Sequence, residues 1–106
     1  MITITVKKRN GNYLEFVSKG HAGYAEEGQD IVCAAVSALI ITTVNSLEKF
    51  TDDKFDVQEE DGFVSIHFRN DLSERGMLLM DSLLLGLTEI AGSYNNRYLT
   101  VKVKEV

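Results

Sequence analysis

The segment from Ile31 to Phe50 constrains the fold of this chain more than any other. Its apolar residues recur at helical spacing and cover nearly the whole circumference of the first turns. Such a helix needs cover from other elements, so we expect it to be central in the molecule. Asp30 precedes it and is a good N-cap, because its carboxylate can accept backbone N–H groups. The most apolar part, Ile31 to Val44, is shorter than the ~20 residues of a membrane span, and we expect no membrane contact.

Strands are predicted on both sides of this helix. Five segments alternate apolar and polar residues, near residues 2–7, 13–18, 55–57, 64–68 and 97–104. The Asn10-Gly11 and Asp61-Gly62 pairs predict two hairpin turns between them. In the second strand we expect Leu14 and Phe16 to share one face, with Tyr13 on the other.

A second helix completes the predicted pattern. Asp71 and Glu74 have the spacing of a capping box, and leucines at 3–4 spacing continue to a stop near Gly92. The element order is therefore ββαββαβ. We expect an α+β fold in which one largely antiparallel sheet carries both helices on one face, with residues 1–106 forming one domain.

Charge and cysteine content restrict the classes of function that this chain can have. The formal net charge is −5 and the basic residues are scattered, which argues against direct nucleic-acid binding. An acidic protein can still act on a basic protein partner. One cysteine allows no internal disulfide, and the start of the chain has no signal-like segment, so we expect a cytoplasmic protein.

The most informative residue is that cysteine, Cys33, in the first turn of the predicted helix. Unpaired N–H groups and the positive end of the helix dipole lower a thiol pKa there, and the same N–H groups can hold an oxyanion. His21, 12 residues earlier, can take the thiol proton and pass it to a leaving amine. Asp30 can cap the helix or orient His21. This spacing indicates a thiol nucleophile with a histidine base.

Other interpretations of the same residues stay open at this point. A lone cysteine near the start of an apolar helix is more often a small buried hydrophobe, and a histidine between glycines is often a simple loop residue. A metal site from His21, Cys33 and Asp30, with His67 as a distant fourth ligand, matches no standard zinc pattern. We therefore predict neither a metal nor a cofactor.

The run from Gly20 to Leu39, GHAGYAEEGQDIVCAAVSAL, resembles the signature of the ribosomal-processing cysteine protease family. The hallmark is Gly-His, a glycine-bearing loop, and then Asp-(Ile/Val)-Val-Cys-Ala-(Ala/Gly)-Val-Ser. Every one of these positions is matched. Chain length and the ββαββαβ order agree as well, so the resemblance spans essentially the whole chain.

The resemblance implies an activity and a role for each motif residue. Members remove a short, apolar N-terminal extension from a large-subunit ribosomal protein, cut after an aromatic residue, and are homodimers. Carried over by position, His21 is the general base and Cys33 the nucleophile. Asp30, Ser37 and Gly20 are implied to support them.

The resemblance also implies that the loop between His21 and Cys33 moves over the substrate. The sequence agrees, because residues 19–29 show no periodicity and contain glycines that can act as hinges. The expected substrate-loop residues are Ala22, Gly23, Glu26, Glu27 and Gly28. A mature ribosomal protein is basic, so we expect Glu26, Glu27 and Asp30 to attract the residues after the cut.

Two functions of other classes also fit the residues. One is a non-catalytic module that holds a basic ribosomal protein during ribosome assembly; it predicts that Cys33→Ala changes nothing. The other is a thiol switch in which Cys33 senses oxidants, with rapid oxidation and no role for His21.

Overall fold

The computed structural model describes residues 1–26 and 29–106 of the chain. Its elements are β1 (Ile2–Arg9), β2 (Asn12–Lys19), α1 (Ile31–Phe50), β3 (Phe55–Glu60), β4 (Phe63–Phe68), α2 (Glu74–Ser93) and β5 (Leu99–Glu105). The strands form one sheet in the order β3-β4-β2-β1-β5. β1 and β5 pair in parallel, and the other three neighbouring pairs are antiparallel. The predicted order and the largely antiparallel sheet are confirmed.

Both helices pack on the same face of the sheet, as predicted. The inward residues of the strands and the buried stripes of the helices form one apolar cluster, which includes Ile4, Val6, Phe16, Ile66, Leu99, Val36, Leu47, Met80 and Leu87. Burying a side chain of this size stabilises the fold by about 1.5–3 kcal/mol relative to leaving it in water.

The expectation of a central α1 is wrong for the isolated chain. α1 covers the sheet with one side and turns the other outward, where the side chains of Ile31 and Ile41 are more than half exposed. By length and composition alone α1 and α2 would each suffice to cross a membrane, a test that core helices of soluble proteins also pass. In this fold both helices contribute buried residues to the core.

A bulge in β2 corrects the predicted facing of its first residues. Lys8 pairs with Tyr13 but Lys7 pairs with Glu15, so Leu14 is an extra residue in β2. The bulge brings Tyr13 to the buried face together with Phe16, and Tyr13 is 1% exposed. Simple alternation could not anticipate this, because one inserted residue reverses the facing of every residue beyond it.

The start of α2 also differs from the predicted capping box. Ser73, not Asp71, is the N-cap, and its hydroxyl oxygen accepts the Gly76 N–H at 3.1 Å. Asp53 fixes Ser73 by accepting both its N–H (2.9 Å) and its hydroxyl (2.7 Å). The cap therefore depends on a carboxylate 20 residues away, which local spacing does not reveal.

The pairing of β2 with β4 determines where the functional loops meet. Lys19 lies opposite Phe63 at the end of the ladder. One step further, the Gly20 N–H donates to the Gly62 carbonyl at 2.8 Å, so the pairing continues into the hairpin turn between β3 and β4. This places the residue after Gly20 beside that turn.

Candidate active site

Asp30 ties the start of α1 to the preceding loop. Its Oδ1 accepts the N–H groups of Val32 (3.0 Å) and Cys33 (2.9 Å), and its Oδ2 accepts those of Tyr24 (2.9 Å) and Ala25 (3.3 Å). Burial opposes the charged form, but the four N–H groups together outweigh it and lower the pKa of Asp30. The predicted N-cap is confirmed.

This arrangement changes two other expectations. The N–H groups of Val32 and Cys33 are bound to Asp30, so the predicted use of these helix N–H groups for an oxyanion is wrong for this structure. Asp30 is 9% exposed and both its oxygens are occupied by backbone donors. It is therefore unsuited to attracting a substrate from solution, and among the described contacts it makes no hydrogen bond to His21.

The thiol of Cys33 has a backbone partner. Cys33 is half-buried, and its Sγ accepts the Ala22 N–H at 3.2 Å. This backbone N–H is the hydrogen-bond donor that the structure places at the sulfur. Ala22 was expected in the substrate loop, but it is buried and lies behind the thiol.

The loop before α1 is anchored on its Gly20 side. Gly20 and Gly23 both have positive φ values of 98° and 72°, and a Cβ at Gly20 would collide with the Met1 carbonyl oxygen. The ring of Tyr24 packs edge-on against Tyr94 and Tyr98, with centroids 5.6 and 5.2 Å apart. The residues on either side of Ala22 are therefore held by the start of the chain and by the segment after α2.

Of the predicted loop residues not yet placed, the structure describes Glu26. Glu26 is exposed, and its carbonyl accepts the Gln29 N–H at 2.9 Å. Glu27 and Gly28 lie outside the described residues.

His21 lies at the end of the β2–β4 ladder. Its side chain is 62% exposed, and its Nε2 is 3.7 Å from Asp61 Oδ2. The ring lies against Gly62, since a Cβ built there would be 2.8 Å from Nε2. The sequence marked Asp61-Gly62 as a hairpin turn, but nothing in it showed that the turn meets His21.

A groove of about 770 Å³ begins at His21 and Cys33. One wall is a flank of α1, and the other is the β3–β4 hairpin. Its apolar lining consists of Ile2, Val36, Ile40, Ile41, Val44, Val57, Phe63 and Val64. Glu59, Glu60 and Asp61 add carboxylates to the hairpin wall.

A second cavity of about 390 Å³ continues on the other side of the thiol. It is lined by Gly23, Ala25, Asp30 and Ala34, and it shares His21, Cys33, Ser37 and Asp61 with the groove. The four shared residues therefore form a junction between two cavities. Ser37 is exposed at this junction, and among the described contacts its hydroxyl makes no hydrogen bond to His21 or Cys33.

Comparison with known proteins identifies relatives along nearly the whole chain. The family described as Cysteine protease Prp matches residues 1–99. The ribosomal processing cysteine protease Prp of Staphylococcus aureus is 30% identical over 98 residues, which are 90% of this chain and 92% of that protein. The protein of the same description from Bacillus subtilis is 29% identical over 103 residues, 91% of this chain and 92% of that protein.

A solved structure agrees equally well. The crystal structure of an essential ribosomal processing protease Prp from S. aureus, in complex with a covalently linked product peptide, has a TM-score of 0.93 to this chain. The two are 28% identical, and the match covers 98% of this chain and 100% of that one.

Proposed function

The chain belongs to the Prp family of cysteine proteases, and from this membership we propose that it removes the short N-terminal extension of a large-subunit ribosomal protein, cutting after an aromatic residue. One observation of the structure supports the proposal independently of the family membership. Cys33 and His21 lie where two cavities meet, so a cleft extends on both sides of the thiol. A peptide cut within its chain needs room on both sides of the reacting bond.

In the proposed reaction Cys33 is the nucleophile and His21 the general base. The imidazole takes the thiol proton, and the thiolate attacks the carbonyl carbon of the aromatic residue. The imidazolium then protonates the leaving amine as the peptide C–N bond breaks, which leaves a thioester on Cys33. His21 next takes a proton from water, and the resulting hydroxide attacks the thioester carbon. The C–S bond breaks and releases the acid, and the imidazolium returns its proton to the sulfur, which restores the thiol. No hydrogen bond joins the two side chains in the described residues, so we assign its formation to the peptide complex.

The Ala22 N–H is the donor best placed to support the charge that develops in this reaction. It points at Sγ from 3.2 Å, and the carbonyl oxygen of a bound substrate is attached to the carbon that the sulfur attacks. We assign to Ala22 the stabilisation of the thiolate and then of the oxyanion. Ser37 stays a proposed supporting residue at the junction, together with Asp30, which holds the helix start.

The groove suits the proposed substrate. Its apolar walls can bury the apolar side chains of an N-terminal extension, and Glu59 and Glu60 line the same groove. A basic ribosomal protein would be attracted by these charges. We therefore propose that this hairpin wall shares the role expected of Glu26 and Glu27, and that it replaces Asp30 in that role.

The proposal includes a homodimer in the cytoplasm. The family resemblance implies the dimer, and the outward side chains of Ile31 and Ile41 on α1 leave apolar surface for a second copy to cover. Sedimentation analysis of the purified chain tests this. A monomer at concentrations well above those of the activity assay would contradict the proposed dimer and leave the proposed protease activity untouched.

Mass spectrometry of the extension-bearing ribosomal protein, incubated with wild type or variants, tests the activity itself. We expect one discrete cut after an aromatic residue, abolished in Cys33→Ala and in His21→Ala. His67→Ala is the matched control, because His67 is the other histidine and is exposed on β4. An intact substrate that binds wild type and Cys33→Ala equally well would support the non-catalytic assembly module instead.

A further inference from the structure

Asp61 stands next to His21 without a role in the family motif. Its carboxylate oxygen Oδ2 is 3.7 Å from His21 Nε2. Among the described ion pairs, it is the acidic group that lies beside this histidine. Resting on the protease function proposed above, we propose that Asp61 is a positioning residue that orients His21 toward Cys33. It would act on the histidine and not on the substrate.

The register of the β2–β4 pairing brings His21 and Asp61 together. Along β2 and β4 the paired residue numbers add up to 82, from Glu15 with His67 to Lys19 with Phe63. The Gly20–Gly62 hydrogen bond of 2.8 Å continues the same register. The next step of that register is His21 with Asp61. Their proximity therefore follows from the backbone ladder, although both side chains are exposed.

Gly62 adds a second constraint on the imidazole. A Cβ at this position would be 2.8 Å from Nε2 and 3.3 Å from Cδ2 and Cε1, so the edge of the ring that carries Nε2 rests on the glycine backbone. With Asp61 beside it, this edge is held by the hairpin. The opposite edge, which carries Nδ1, is then available to accept the thiol proton.

The other two candidates for orienting His21 lack such contact. Asp30 directs both oxygens at backbone N–H groups, and the Ser37 hydroxyl makes no hydrogen bond to the imidazole in the described residues. Asp61 accordingly takes the orienting role. The carboxylate favours the tautomer with a proton on Nε2, which leaves Nδ1 unprotonated as the base.

The charged surroundings of His21 set the expected size of the effect. Asp61 faces it from the hairpin turn, Glu59 and Glu60 line the same groove, and Asp30 and Cys33 lie at the start of α1. The Asp61 side chain is 88% exposed, so water screens the pair in the free protein. A bound peptide would exclude that water and strengthen the interaction. We expect Asp61→Ala to lower kcat about three- to tenfold.

Two measurements on the full chain test the inference. The first is nitrogen-15 NMR of the histidine rings in wild type, Asp61→Ala and Asp71→Asn, the last being a matched loss of an exposed carboxylate outside the groove. We expect the Nε2-protonated share of His21 to fall in Asp61→Ala toward the ratio of a histidine in a short peptide, with Asp71→Asn like wild type. An unchanged His21 ratio in Asp61→Ala would overturn the proposal. This result does not depend on any cleavage, so it separates failure of the inference from failure of the proposed function.

The second measurement is steady-state cleavage by the same variants and by Asp61→Glu. We expect Asp61→Ala to reduce kcat with KM changed less than about twofold, and Asp61→Glu to recover part of the loss, because a carboxylate at the turn can still reach the ring. A raised KM with unchanged kcat would instead make Asp61 a substrate contact and contradict the positioning role. Circular dichroism of each variant confirms that the fold is retained.

Discussion

Replacing Gly62 by alanine separates the cost of backbone conformation from the cost of moving His21. Gly62 has a φ of 68°, and Gly11 in the first hairpin turn has a φ of 81°. Alanine in this left-handed region costs about 1–2 kcal/mol at either site. The difference lies in the surroundings: a Cβ at Gly11 meets nothing within 4 Å, whereas a Cβ at Gly62 meets the His21 ring at 2.8 Å. Gly11→Ala is therefore a matched control.

The structure gives the size of both effects. For a chain of this length the shared backbone penalty lowers Tm by about 5–10 °C. In Gly62→Ala the imidazole must also retreat by about 0.6 Å to reach the 3.4 Å of ordinary contact. That retreat costs little stability, because the ring is mostly exposed and can swing into solvent. It costs activity, because a displacement of about 1 Å in a reacting group can slow a reaction about a hundredfold.

Thermal unfolding and peptide cleavage of the two variants check this reasoning. We expect similar losses of Tm, and a loss of kcat/KM of about ten- to a hundredfold in Gly62→Ala alone. Assays are run well below both transition temperatures, so that both variants are folded. Equal activity of Gly62→Ala and Gly11→Ala would refute the claim that contact with the hairpin positions His21.

Four further predictions concern the residues that hold the site and core in place. Asp30→Ala leaves four N–H groups without their acceptor and should cost about 2 kcal/mol or more in urea unfolding; a loss below about 0.5 kcal/mol would contradict the capping role. Because the pKa of Asp30 is lower in the folded state, the unfolded state takes up the proton first as pH falls. The difference in unfolding free energy between wild type and Asp30→Asn should therefore be largest above the ordinary pKa of 3.8 and shrink as pH falls below it. Tyr13→Phe removes the 2.6 Å hydrogen bond to Asp81 and should cost about 1 kcal/mol, and a double-mutant cycle with Asp81→Ala should recover that coupling. Tyr24→Ala removes two edge-on ring contacts and should speed hydrogen exchange of the Ala22 amide while amides of α2 keep their rates; unchanged exchange at Ala22 would show that the rings do not anchor the loop.

The parts of the site that depend on neighbours in sequence could be predicted from the sequence. Asp30 caps α1, and Cys33 follows it within one turn, because the carboxylate, the N–H groups and the thiol lie within four consecutive residues. The two hairpin turns were predictable for the same reason. At Asn10-Gly11 both φ values are positive, 51° and 81°, as such pairs readily allow.

The parts that depend on strand register could not be predicted. The bulge at Leu14 turns Tyr13 to the buried face of the sheet, and no residue type in β2 indicates that the ladder contains an extra residue. Asp61 approaches His21 from 40 positions away, through the pairing of two strands whose order the sequence left undetermined. Likewise, the apolar pattern of α1 shows that it must be covered, but not that Ile41 would face outward in the single chain.

The edge position of the β3–β4 hairpin has a consequence for how the protein responds to heat. β3 joins the sheet through β4, and five of its six residues are exposed, so little buried area holds it. Sub-global opening at this edge should therefore need less free energy than melting of the whole domain. Such an opening would detach β3 from the wall of the groove and loosen the turn that supports His21, while β4, the helices and the central strands stay folded. Thermal inactivation should then precede unfolding, and a reversible loss of turnover would begin several degrees below the loss of helical signal.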